Sequence, residues 1–136
     1  MAHEAHATIW LANLDGLPGE LVPEWAASLS EGEQRRYRAF VRAERQRQFV
    51  AGRMLLRQAL GAVAGVPPDA IVVDEQLARA PAARLPSGRP APHFSISHSG
   101  DWVACAVGAG TRLGLDIELR DASRDLQALA AHSFDA

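Results

Sequence analysis

Between Ala43 and Ala64 the apolar residues Phe49, Leu56, Leu60 and Val63 recur at helical spacing, with Arg45, Arg53 and Arg57 falling largely between them. The pattern predicts the longest helix of the chain, and Gly65 followed by Pro67-Pro68 ends it. Ser30-Glu31-Gly32-Glu33 has the spacing of a capping box, so a second helix is predicted to start there and run to about Phe40. A short helix near Glu24–Leu29 precedes it. Residues 7–14 are β-compatible and stop at the turn signal Asp15-Gly16.

Residues 66–92 carry six of the eight prolines and read as a long loop, interrupted by one possible short strand at Ile71–Val73. Three strands follow, Phe94–Ser97, Trp102–Val107 and Leu113–Leu119. Gly100-Asp101 and Gly108-Ala109-Gly110 separate them, which is hairpin chemistry. Residues 123–132 begin another helical pattern. The expected fold is α/β (α+β), with a mostly antiparallel sheet packed by the long helix.

The length of 136 residues suits a single domain with a real core. The net charge of −2 argues against a general nucleic-acid binder. Charge is nevertheless unevenly placed. The chain has no Lys, and eight of its 14 Arg lie between residues 35 and 57, where Glu44 is the only acid. That segment is therefore +7 (eight minus one) in an otherwise acidic chain, and guanidinium groups so gathered suit phosphate on a small molecule or an acidic partner. The single Cys, Cys105, excludes an internal disulfide and argues against a cysteine metal site. No apolar run is long enough for a spanning helix, and the first residues lack the features of a signal peptide, so no membrane role is expected and the location is taken as cytoplasmic.

Two patterns carry candidate chemistry. On the strand Leu113–Leu119, Asp116 and Glu118 fall on one face, roughly 7 Å apart. Carboxylates so placed repel unless a cation or water separates them, and Mg²⁺ with phosphate oxygens completes such a site well. Two surface acids at a solvated strand end would give the same pattern. The second is Ser95-Ile96-Ser97-His98-Ser99-Gly100. Neighbours on a strand point to opposite faces, so His98 is badly placed to activate Ser97 as a nucleophile. Phosphate contact through hydroxyls, backbone N–H groups and the His ring fits better, and a polar hairpin turn is the plain alternative.

Three segments taken together, residues 47–57 (Arg-Gln-Phe-Val-Ala-Gly-Arg-Met-Leu-Leu-Arg), 94–102 (Phe-Ser-Ile-Ser-His-Ser-Gly-Asp-Trp) and 114–118 (Gly-Leu-Asp-Ile-Glu), resemble the N-terminal half of a 4′-phosphopantetheinyl transferase of the larger, pseudo-dimeric, surfactin-synthetase-activating class. The resemblance implies a holo-[acyl-carrier-protein] synthase type of transferase (EC 2.7.8.-). Such an enzyme moves phosphopantetheine from coenzyme A (CoA) to a Ser of an acyl or peptidyl carrier protein, with Mg²⁺ at the pyrophosphate. By motif position it makes Asp116 and Glu118 metal ligands and places Ser97, His98 and Arg36 at the CoA phosphates. Gln48 stands where the family commonly has Arg, and Arg47 is the neighbour able to compensate. The family's Gly-Lys-Pro lysine has two candidate replacements, Arg84 and Arg89, of which Arg84 is nearer the expected place.

The resemblance also implies one N-terminal subdomain over residues 1–136, half of a pseudo-twofold fold, with the C-terminal half absent. That half carries the family's Lys-Glu-Ala helix, so no catalytic residue is assigned within this chain, which is expected to show little or no transfer alone. The expected partners are CoA, a carrier protein, and the missing half or a partner chain. The rival reading is a non-catalytic CoA- or nucleotide-binding or interaction module that pairs with another chain.

Overall fold

A computed structural model describes residues 6–76 and 79–109. The elements run β1 (His6–Asn13), α1 (Leu21–Ala27), α2 (Glu31–Ala39), α3 (Ala43–Ala64), β2 (Val72–Asp74), β3 (Ala82–Arg84), β4 (His93–Ser99) and β5 (Trp102–Ala109). The predicted α+β class and the long central helix are both found. Strand pairing is antiparallel throughout the described residues: β1-β5-β4 form one sheet and β2-β3 a second. The predicted strand Leu113–Leu119 and the helical pattern after it lie outside the described residues. No helix among the described residues is long and apolar enough to cross a membrane.

The three-stranded sheet is knit in rows. Trp10 and Ile96 flank Cys105, while Ala12 and His98 flank Val103. Cross-strand partners share a face, so Val103, Cys105 and Val107 present one apolar stripe. Helix α3 lies on this stripe and buries Leu55, Leu56, Ala59 and Leu60 in the same core. The close approach requires Gly52, where a Cβ would stand 3.3 Å from Ile96 Cγ2. Burial pushes the Cys105 thiol up to about 12, so it is an inert core group and not a nucleophile.

The segment expected to be a long loop is more ordered than its prolines suggest. Val72–Asp74 pairs with Ala82–Arg84, and Ile71, Val73 and Leu85 join the main core. The strands are only three residues long, too short for alternation to be read in sequence. The turn before them rests on α3: a Cβ at Gly61 would meet the Val66 carbonyl oxygen at 2.7 Å. Gly65 then closes α3 in the left-handed conformation at φ 72°, as the glycine punctuation predicts.

Helix α2 is fixed by the predicted capping box. The Glu33 N–H donates to Ser30 Oγ at 3.3 Å, and the Ser30 N–H donates to Glu33 Oε1 at 3.0 Å. Glu33 does far more than cap. Its side chain is 0% exposed, and both of its oxygens face α3. Arg53 Nη1 donates to Oε2 at 3.2 Å, Arg57 Nη1 to the same oxygen at 3.1 Å, and Arg57 Nη2 pairs with Oε1. The helical pattern places Arg53 and Arg57 between the apolar positions; in the structure both are buried, because a buried carboxylate waits for them.

Burial alone would raise the Glu33 carboxyl above its ordinary 4.5, but hydrogen bonds from Arg57 and Ser30 and the Arg57 and Arg53 charges outweigh it and hold it lower. A depressed folded value means stability that is present above the ordinary value and lost as pH falls through the folded one. Glu33→Ala removes the one carboxylate that pairs with buried Arg57 and one of the two that pair with Arg53, and is expected to cost about 3–5 kcal/mol in urea unfolding. The stability gap between wild type and Glu33→Gln should stay constant above pH 4.5 and narrow below it. Gly61→Ala should lower stability by about 1–3 kcal/mol through the backbone clash, despite alanine's better helix propensity.

Candidate functional site

The N-terminal half of α3 and the edge strand β4 border an open cavity of about 310 Å³. Its walls are of two kinds. Phe40, Phe49, Phe94, Ile96 and Gly52 make it apolar, and Arg36, Arg45, Arg53 and Arg79 make it cationic. Positions 45, 49 and 52 on α3 are three or four apart, so the helix turns them to one side. On β4 the two-residue period brings Phe94, Ile96 and His98 to the helix-facing side.

The aromatic rings hold the guanidinium groups. Phe40 and Phe49 pack with centroids 5.4 Å apart. Arg36 Cζ lies 5.9 Å and 5.7 Å from their two centroids, Arg45 Cζ 5.7 Å from Phe40, and Arg53 Cζ 4.6 Å from Phe49. Each such contact contributes on the order of 0.5–2 kcal/mol and fixes a flexible cation in place.

The four cations are not equivalent. Arg53 is held by Glu33 and pairs with Glu75, and Arg36 Nη1 reaches Glu75 Oε2 at 3.1 Å. Arg45 and Arg79 make no ion pair with any described residue. They are the cations best able to meet an anion in the cavity. Gln48 braces the opposite wall: its Nε2 donates to the Gly100 carbonyl at 2.8 Å, tying α3 to the β4–β5 turn. Its Oε1 is buried without a hydrogen-bond partner among the described residues.

Of the residues singled out from sequence, Arg36 and His98 line the cavity. Ser97 is not in the cavity wall, whereas Ser95, two residues earlier on the same face of β4, borders the cavity. Arg47 is half-buried on α3 and is not in the cavity wall. Arg84 stands apart from the cavity, with its Nε 3.1 Å from Asp74 Oδ2. Arg89 is exposed and also apart from it. Arg45, Arg79 and Phe40 complete the site without having been assigned to it from sequence, and Gln48, noted as a departure from the family pattern, lines it too. Arg79 stands two residues ahead of Pro81, one position further than the lysine of Gly-Lys-Pro stands from its proline, so the sequence does not mark it. Asp116 and Glu118 lie outside the described residues. Among those described, no group of three His, Cys, Asp or Glu side chains could hold a metal ion.

Desolvation first, and then the Arg45 charge, hold the His98 imidazolium below its ordinary 6.5. His98 is therefore neutral at pH 7 and meets an anion as a hydrogen-bonding ring, not as a fixed charge. An NMR titration should place its midpoint below 6.5, and Arg45→Ala should move it upward.

The profile of the family described as 4′-phosphopantetheinyl transferase, N-terminal, matches residues 22–109, which include the whole cavity. The chain is 32% identical over 134 residues to the 4′-phosphopantetheinyl transferase HetI of Nostoc sp., covering 98% of this chain and 55% of that protein. It is 35% identical over 92 residues to a 4′-phosphopantetheinyl transferase of Bacillus subtilis, covering 68% of this chain and 39% of that protein. The chain thus spans about half the length, or less, of these curated relatives. A crystal structure of a holo-(acyl-carrier-protein) synthase from Bacillus anthracis, in complex with CoA (3′,5′-ADP), shares the fold with a TM-score of 0.61 at 21% identity. That match covers 76% of this chain and 93% of the synthase. The profile match over residues 22–109, which holds the whole cavity, and the 32% identity to HetI together show that this chain belongs to the 4′-phosphopantetheinyl transferase family, matching its N-terminal domain.

Proposed function

We propose that the chain supplies the nucleotide-binding part of a CoA site in a 4′-phosphopantetheinyl transferase. The observation that carries this reading is the cavity itself. A base or other flat apolar group suits Phe40, Phe49 and Phe94, while phosphates suit Arg36, Arg45 and Arg79 beside a neutral His98. A nucleotide carries both kinds of group in one molecule.

The reaction is attack by a carrier-protein Ser hydroxyl on the phosphorus that bears pantetheine. A new P–O bond forms to the Ser oxygen as its proton passes to solvent, the pyrophosphate P–O bond breaks, and 3′,5′-ADP leaves. Negative charge grows on the departing diphosphate, and fixed guanidiniums facing it lower the barrier without reorganising. Arg45 and Arg79 fit this role because neither is neutralised by a described carboxylate. Arg36 can join them by sharing its charge between Glu75 and the ligand. Arg53 is a positioning residue, since its contacts go to Glu33, Glu75 and the Phe49 ring.

Asp116 and Glu118 are the residues proposed to hold Mg²⁺, an oxygen-seeking ion that would neutralise pyrophosphate charge when bound. Ser97 and Arg47 stay in this proposal only as neighbours of cavity residues, His98 and Gln48. The carrier protein as acceptor and a cytoplasmic setting are the rest of the reading.

Isothermal titration with 3′,5′-ADP should detect binding to the chain. Arg79→Ala should weaken it about tenfold, the loss expected for one charge-assisted phosphate contact, whereas Arg84→Ala should leave it unchanged. No binding by wild type, or equal losses in both variants, would overturn the reading.

A further inference from the structure

One carboxylate stands behind the cavity without lining it. Glu75 follows β2, and its side chain is 13% exposed. Its Oε2 accepts from Arg36 Nη1 at 3.1 Å, and its Oε1 pairs with Arg53 Nη1. Both arginines belong to the cavity wall, and Glu75 does not. The carboxylate is seated against α2. A Cβ at Gly32 would stand 3.3 Å from Glu75 Cβ, so the glycine lets the helix backbone lie close against this side chain.

What Glu75 adds here is charge, because its mechanical part is duplicated. The Phe40 and Phe49 rings already orient Arg36, and Glu33 with the Phe49 ring already holds Arg53. Arg36, Arg53 and Arg57 bring three positive charges to this cluster, and Glu33 and Glu75 two negative ones, which leaves +1 (three minus two) among the described residues. Without Glu75 the remainder would be +2. The added charge would sit on Arg36, the most exposed of the three arginines.

We propose that Glu75 sets the grip of the cavity on its phosphorylated ligand by withholding part of the Arg36 charge; this rests on the nucleotide-site reading above. The 3′,5′-ADP group is carried by CoA and leaves as the product, so a cation that grips it holds both alike. Such uniform binding does not lower the barrier, and made tighter it delays departure of the product. Arg45 and Arg79, which no described carboxylate neutralises, meet the charge that grows on the diphosphate. Arg36, shared with Glu75, makes a weaker contact that is given up readily. Glu75 is thus a positioning residue that acts through Arg36.

The test titrates 3′,5′-ADP and inorganic pyrophosphate into wild type, Arg36→Gln, Arg45→Gln, Glu75→Gln and the Glu75→Gln/Arg36→Gln double variant. Circular dichroism checks that each one folds. Glu75→Gln keeps the shape and an acceptor for Arg36 while removing the charge. It should tighten both ligands about threefold, the effect of one charge several ångströms away beside a polar wall. Arg45→Gln should weaken both about tenfold. Arg36→Gln should weaken them only about threefold in wild type, but about tenfold in the Glu75→Gln background. That coupling reports the Arg36–Glu75 pair itself, which a merely structural role would not move.

A Glu75→Gln protein that binds 3′,5′-ADP as wild type does, or more weakly, overturns this role and leaves the nucleotide site standing, since a residue that only braces Arg36 gives that result. A loss in Arg36→Gln as large as in Arg45→Gln also overturns it, and that comparison needs no Glu75 variant to fold. Tightening of both ligands by Glu75→Gln, with 3′,5′-ADP bound no better than pyrophosphate, keeps the role of Glu75 and removes the nucleotide reading. Binding of neither ligand by any of the proteins overturns both.

Discussion

The carboxylate of Glu33 is where three separate requirements of this protein meet. One oxygen closes the capping box that starts α2, and both receive the guanidiniums of Arg53 and Arg57 from α3. Helix α2 is thereby tied to α3 by a buried ion-pair network as well as by the packing of Tyr37 and Phe40 near Val50 and Phe49. Arg53 in turn pairs with Glu75, which also holds Arg36, so the same network reaches the segment after β2. A charged group this deep is costly unless fully paired, and the arrangement meets that condition through two bidentate-capable partners. The placing of the cavity wall follows from it.

What the network leaves over is as important as what it binds. Two carboxylates balance much of the positive charge of Arg36, Arg53 and Arg57, while Arg45 and Arg79 face the cavity with no described carboxylate against them. The protein thus separates structural arginine from functional arginine within one run of sequence. Aromatic rings support the division, since Phe40 and Phe49 orient guanidiniums without neutralising them. His98 fits the same economy of charge: held neutral by desolvation and by Arg45, it adds a hydrogen-bonding ring where another cation would add repulsion.

The mechanics of the site rest on ordinary core packing. Gly52 lets α3 settle onto Ile96 and Val103, and this contact sets the width of the cavity floor. Gln48 reaches across to the β4–β5 turn and fixes the far wall. The family resemblance expected a basic residue at that position, and the amide here makes a structural contact instead.

Much was legible in the chain itself. The helical period of residues 43–64, the Ser30-to-Glu33 cap, the glycine stop at Gly65 and the hairpin at Gly100-Asp101 are local signals, each set by neighbours within a turn or two. The motif residues 47–57 and 94–102 pointed to the family, and both run along the cavity. The roles of individual arginines were not legible. Nothing in the sequence separates Arg53 and Arg57, buried against Glu33, from Arg45, 12 residues from Glu33 along the chain but turned to the cavity. Nor does it rank Arg79 above Arg84, because the choice depends on a two-strand pairing that ties Arg84 to Asp74. Sequence determined the elements and the chemistry available, since these follow from short-range pattern. Tertiary structure decided which cations meet carboxylates and which remain for a ligand, because that is fixed only when distant segments are brought within a few ångströms.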